Sequence, residues 1–223
     1  ETIAVHDGHL LDADAHLARL AASAAAVLDR ALPPDLPTRV STAAALAGPG
    51  RHRLRIVLTP DGAADVTVHP TQPGPPEPVL LTPVLLTGGA GAHKWADRSP
   101  LAGAHLVCDA DGTVLEATSA NVWALLDGRL VTPPADGRLL AGVTRARVLA
   151  LGSLQGLPLT EAPLTLEQAH AADALLVTSA IRRAAPAALA PQAEPTPHAH
   201  ALAQALRDHL LPSSRANTLP AGR

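Results

Sequence analysis

A chain of 223 residues with 47% hydrophobic content is long enough to bury a sizeable core, as one large domain or two small ones. A net charge of -3, scattered arginines, and no aromatic rings besides histidine except Trp95 and Trp123 argue against nucleic acid as a partner. No apolar run approaches the ~20 residues of a membrane span and the N-terminus has no signal-peptide pattern; the lone Cys108 cannot form an internal disulfide, so the cytoplasm is the expected setting.

Residues 1–5 read as a strand entering an Asp7-Gly8 turn, so the chain looks cut into, with earlier strands missing. Asp12 or Asp14 can cap a helix whose apolar face is Leu17, Leu20, Ala24, Val27 and Leu28, ended by Pro33-Pro34. A second helix is predicted over 38–46, and 54–59 with 66–68 make a hairpin around Asp61-Gly62. Four prolines in 71–78 fix φ and remove donors, which predicts a linker between a small domain (1–70) and a larger one (79–211), with 212–223 as a tail. The larger domain reads as strands with intervening helices: 79–86, 106–108, 113–116, 122–126, 129–131 and 174–178 as strands, and helices from 142, over 166–171 and over 198–211. The expected class is therefore α/β (α+β) with two domains.

Lys94 is the only lysine, and arginine fills every other Lys or Arg position. A lysine amine can lose its proton and attack a carbonyl, whereas a guanidinium stays charged, so a lysine kept once is a candidate nucleophile. Surface survival by chance is the bland alternative. Glu116 ends a strand and enters a small-residue bend, where a carboxylate could hydrogen-bond a protonated ring nitrogen. Gly142-Val143-Thr144 at a helix start offers backbone N–H groups and a hydroxyl for an anion, and Thr178-Ser179-Ala180 offers a second hydroxyl-bearing loop. Arg19, on the first helix, could add a fork of donors.

In this order the residues resemble the fold-type IV family of pyridoxal-phosphate enzymes, which includes branched-chain and D-amino-acid aminotransferases and aminodeoxychorismate lyase. His16-Leu17-Ala18-Arg19-Leu20 is similar to its H-x-x-R-L segment, Thr132-Pro133 to its T-P, and Gly142-Val143-Thr144-Arg145 to its G-[IV]-T-R turn. The resemblance implies a class IV aminotransferase fold with pyridoxal 5'-phosphate between two domains of a homodimer that acts on a small molecule. It implies that Lys94 joins the cofactor and moves the substrate's proton, and that Glu116 holds the ring nitrogen. Arg19, Asn121, Val143, Thr144, Thr178, Ser179 and Ala180 would complete the cofactor site. Arg98, four residues after Lys94, and Ala120-Asn121 resemble the lyase more than the branched-chain enzymes, and they imply conversion of 4-amino-4-deoxychorismate to 4-aminobenzoate and pyruvate. Amino transfer to or from branched-chain or D-amino acids is the alternative, and a catalytically impaired relative is a third reading. The chain departs from the family in its missing opening strands, a short interval from Lys94 to Glu116, and its lack of tyrosine.

Other constellations read more plainly. Neither His6, His9 and His16 nor His198 and His200 have the accompanying Cys or carboxylate spacing of a closed metal site, so no metal is expected. Asp109-Ala110-Asp111-Gly112 reads as a hairpin turn and Cys108 as a small core residue. Trp123 could wall the cofactor pocket, with core packing the simpler expectation.

Overall fold

Two sheets carry the architecture of the computed structural model, which describes residues 1–72, 75–97, 101, 103, 105–191 and 194–211. Arg98 and the 212–223 tail, both singled out above, lie outside the described residues. The first sheet has the order β2-β1-β3-β4, with β1 Thr2–His6, β2 His9–Leu10, β3 Arg51–Leu58 and β4 Ala64–Pro70, all antiparallel. Strict alternation along β3 sends Leu54 and Ile56 into a core shared with Ile3, Val5, Leu20, Leu36 and Val40, and leaves Arg51, Arg53 and Arg55 on the opposite face. The helices α1 (Ala13–Leu28) and α2 (Leu36–Leu46) supply the other half of that core.

Both helices differ at their ends from the sequence expectation. The first stops at Asp29, which adopts a left-handed φ of 51°, well before Pro33. A short polar side chain tolerates that conformation, so it terminates the helix without proline. The second starts at Leu36, ahead of the expected residue 38, because Pro37 sits in the first turn, where a missing N–H costs nothing.

The second sheet has nine strands in the order β10-β11-β9-β8-β12-β13-β5-β6-β7. Its central strands β8 (Asn121–Leu126) and β12 (Ala174–Ser179) are covered on both faces. Val122, Leu175 and Val177 enter one core; Trp123, Leu125 and Leu176 enter another, against α3 (Val143–Ala150) and α5 (Pro197–Leu210). Burial on both faces explains why these strands read as continuous apolar runs. Flanking them are β5 (Val79–Leu85), β6 (His105–Cys108), β7 (Val114–Ala117), β9 (Arg129–Thr132), β10 (Ser153–Leu154) and β11 (Leu157–Glu161). The short helix α4 (Leu166–Ala171) begins on a capping box in which Thr165 and Gln168 exchange hydrogen bonds.

β13 (Arg183–Leu189) is fully buried, although its alanines and proline have low strand propensity. Pro186 pairs with Leu176 of β12, and parallel pairing with β5 begins only at Ala187. The proline therefore sits where β13 is paired on one side alone, as its missing donor requires.

Candidate active site

The ends of these strands and helices meet around a cavity of about 650 Å³. Asn121 at the start of β8 stands opposite Thr178 at the end of β12, which fixes one wall. Glu116 of β7 comes from the neighbouring hairpin and is 2% exposed; its Oε2 accepts the Leu140 N–H at 3.4 Å. The start of α3 adds Val143 and Thr144, and the end of β12 with the turn after it adds Ser179 and Ala180. From the first sheet's side, α1 contributes Arg19, and the loop after β5 contributes Lys94. All nine described candidates thus line one cavity.

Close packing holds the α3 turn. Gly142, the N-cap of α3, has extended backbone and lies so near Asn121 that a Cβ would collide with its Oδ1. Asn121 Nδ2 in turn donates to the Leu140 carbonyl at 2.9 Å. The first N–H groups of α3 have no intrahelical acceptor, and its N-cap supplies no side-chain bond. The Thr144 hydroxyl is buried and has no hydrogen-bond partner among the described residues. Donors without acceptors at a helix start form an anion site by geometry and by dipole.

Arg19 is aimed by its neighbours. Its Nε and Nη2 donate to the two Glu1 carboxylate oxygens at 2.9 and 2.8 Å, and Nη1 donates to the Ala141 carbonyl at 2.8 Å. His16 Nδ1 lies 3.0 Å from Glu1 Oε2. Burial alone would raise the Glu1 pKa, but the hydrogen bonds from His16 and Arg19 hold its carboxyl well below the usual carboxylate range. Glu1 therefore serves Arg19, a role the sequence reading misses because Glu1 lies 18 residues from its partner.

The Lys94 loop is fastened at several points. His93 Nδ1 lies 3.1 Å from Ser23 Oγ of α1, Arg55 donates to the Ala96 carbonyl, and Gly91 N–H donates to the Arg138 carbonyl. Gly88 N–H reaches Asp109, whose pKa falls to about 2 through that bond, the Ala110 N–H and Arg138. Gly89 has a φ of +72°, and a Cβ there would collide with the Arg138 carbonyl oxygen and Leu115. Gly89→Ala is expected to cost about 1–3 kcal/mol, read as a lower urea midpoint at unchanged slope.

Trp123 is fully buried and belongs to the core, and its indole N–H donates to Thr178 Oγ1 at 3.0 Å. Pro186 lies in β13, beyond the Ser179-Ala180 turn. Arg51, Arg53 and Arg182 also line the cavity and were not anticipated as site residues. The signal for the first two was available: arginine at alternate positions of β3, opposite Leu54 and Ile56.

Comparison with known proteins places these features in context. The amino-transferase class IV profile matches residues 1–99 and again residues 90–190. D-alanine aminotransferase from Listeria monocytogenes is 35% identical over 66 residues, 30% of this chain and 23% of that protein. The stretches aligned with curated relatives thus span about a quarter of those relatives' length. The fold IV-transaminase from Curtobacterium pusillum superposes with a TM-score of 0.75 at 27% identity, over 97% of this chain and 86% of that one. The 4-amino-4-deoxychorismate lyase of Pseudomonas aeruginosa gives 0.71 at 23% identity, over 93% and 89%, a likeness of fold alone.

Proposed function

Because the chain belongs to the class IV aminotransferases, a family that uses pyridoxal 5'-phosphate, we propose that the cavity binds this cofactor and that Lys94 acts on it and on the substrate. The residues present fit the group. The Thr144 hydroxyl, which has no partner among the described residues, the N–H groups at the start of α3 and the Arg19 donors left over by Glu1 and Ala141 suit its phosphate; buried Glu116 suits its ring nitrogen. Ser179 and Ala180 close the phosphate end, and Asn121 and Thr178 hold the wall beside it. When bound, the cofactor supplies an electron-accepting ring that stabilises negative charge on the substrate carbon that loses its proton.

The chain's own residues do the rest. Lys94 Nζ takes the proton from the amine-bearing carbon of the substrate, and the fastened 88–96 loop keeps that nitrogen in place. Glu116 would hold the ring nitrogen by a hydrogen bond and favour its protonated form.

The finer reading is elimination of pyruvate from 4-amino-4-deoxychorismate. The observation that carries it is the cationic lining: Arg51, Arg53 and Arg182 stand in the same cavity beyond Arg19, and this substrate bears two carboxylates. Ala120 and Asn121 in the wall agree with it, as does Arg98 in sequence. Once Lys94 has taken the proton, the adjacent carbon–oxygen bond breaks, the three-carbon unit leaves and is protonated to pyruvate, and the ring becomes aromatic. A second reading, amino transfer between an amino acid and a keto acid, is favoured by the curated relatives, which are aminotransferases. The proposal includes a homodimer in the cytoplasm. Among the described residues no helix is long and apolar enough to cross a membrane.

One incubation separates the two reactions. With aminodeoxychorismate the purified protein is expected to release 4-aminobenzoate and pyruvate in equal amounts. No 4-aminobenzoate, together with transfer of an amino group from an amino acid to a keto acid, would replace the lyase by the aminotransferase.

A further inference from the structure

Asp12 occupies the N-cap of α1, where an aspartate ordinarily accepts a hydrogen bond from one of the first helical N–H groups. It makes no such bond. Its backbone is left-handed, with a φ of 60°, and its carboxylate is turned to two arginines distant in sequence. Arg147 Nη1 donates to both oxygens, at 2.9 and 3.1 Å, and Arg183 Nη1 donates to Oδ2 at 3.0 Å. Arg183 is itself left-handed, with a φ of 59°, and is only 2% exposed. Giving up a local cap and holding two non-glycine residues at positive φ costs stability, so the contact must return something.

Asp12 thus joins α1, α3 and the start of β13, and the anion-binding end of the cavity is built by α1, α3 and the turn that leads from β12 into β13. On α1, His16 and Arg19 follow Asp12 by four and seven positions, along one face of the helix. On α3, Arg147 lies three positions after Thr144 and therefore one turn below it. Arg183 follows Ser179 by four positions and begins β13. Each arginine thus grips its element just beyond the residue that faces the cavity. A second tie closes the same frame from above, where Arg19 Nη1 meets the Ala141 carbonyl directly before Gly142.

We propose that Asp12 is a positioning residue for the phosphate end of the cavity. Through Arg147 and Arg183 it fixes Arg19, the Gly142-Val143-Thr144 turn and the Ser179-Ala180 loop at the spacing a phosphate ester requires; this rests on reading the cavity as a pyridoxal-phosphate site. Its role is preorganisation, so its loss falls on recognition of the phosphate and spares recognition of the ring.

Binding of two aldehydes to the full-length protein tests this. Pyridoxal 5'-phosphate and pyridoxal share ring and aldehyde and differ in the phosphate alone. In Asp12→Asn the affinity for the phosphorylated aldehyde is expected to fall roughly 10- to 100-fold, while that for pyridoxal moves less than roughly threefold. Arg147→Gln removes the more exposed arginine and leaves the buried Arg183 paired, so it guards against a variant that fails to fold; the same selective loss is expected, smaller in size. Equal losses for both aldehydes would reduce Asp12 to a structural tie and overturn the proposal, as would unchanged preference for the phosphate in both variants. An unsubstituted protein that holds the two aldehydes equally would instead overturn the pyridoxal-phosphate reading, and the proposal with it.

Discussion

Lys94→Ala is expected to abolish covalent capture of pyridoxal phosphate and to lower turnover by roughly three orders of magnitude or more, because the same nitrogen would join the cofactor and move the substrate proton. Lys94→Arg should do no better despite keeping the charge, since a guanidinium does not become the neutral nucleophile. Borohydride reduction followed by peptide mapping reads the first effect: the pyridoxyl mass should sit on the peptide containing Lys94 and vanish in both variants. A labelled peptide elsewhere in the chain would show that the cavity has been assigned to the wrong amine.

Glu116→Gln should separate binding from chemistry. Glutamine keeps the volume of a side chain that is 2% exposed and can still accept the Leu140 N–H, so the cavity should persist. A neutral amide no longer favours a proton on the facing ring nitrogen, and turnover should fall by roughly 10²- to 10⁴-fold with cofactor still bound. Loss of the cofactor along with the activity would move Glu116 from the chemistry to the architecture. Unchanged turnover would remove it from both.

Much of this arrangement can be read before any coordinates, and the reasons differ from residue to residue. Lys94 is conspicuous because the composition otherwise avoids lysine, and α3 is marked by Gly142-Val143-Thr144 at the start of an apolar periodicity. The central strands β8 and β12 are legible because burial on both faces leaves unbroken apolar runs. β13 is hidden for the opposite reason: alanines and a proline carry no strand signal, and only the neighbours β12 and β5 select its extended form. Long-range pairs are hidden as well. Nothing local marks Glu1 as the partner of Arg19, or Asp12 as the partner of Arg147 and Arg183, since helix-cap chemistry predicts a local use for Asp12 that the structure does not make. The row of arginines on β3 was visible as an alternation, but which face of a sheet looks into a cleft is decided by the other sheet.

The burial of Trp123 has a spectroscopic consequence. With no tyrosine or phenylalanine, ultraviolet emission comes from two indoles in unlike surroundings. Trp123 is dry and fixed, its N–H held by Thr178 in the cavity wall; Trp95 is half exposed, follows Lys94 directly and stands edge-on to His93. A quencher dissolved in water reaches Trp95 far more readily than Trp123. The protein therefore carries a built-in pair of reporters, one reading the loop that bears the lysine and the other reading the wall across the cavity.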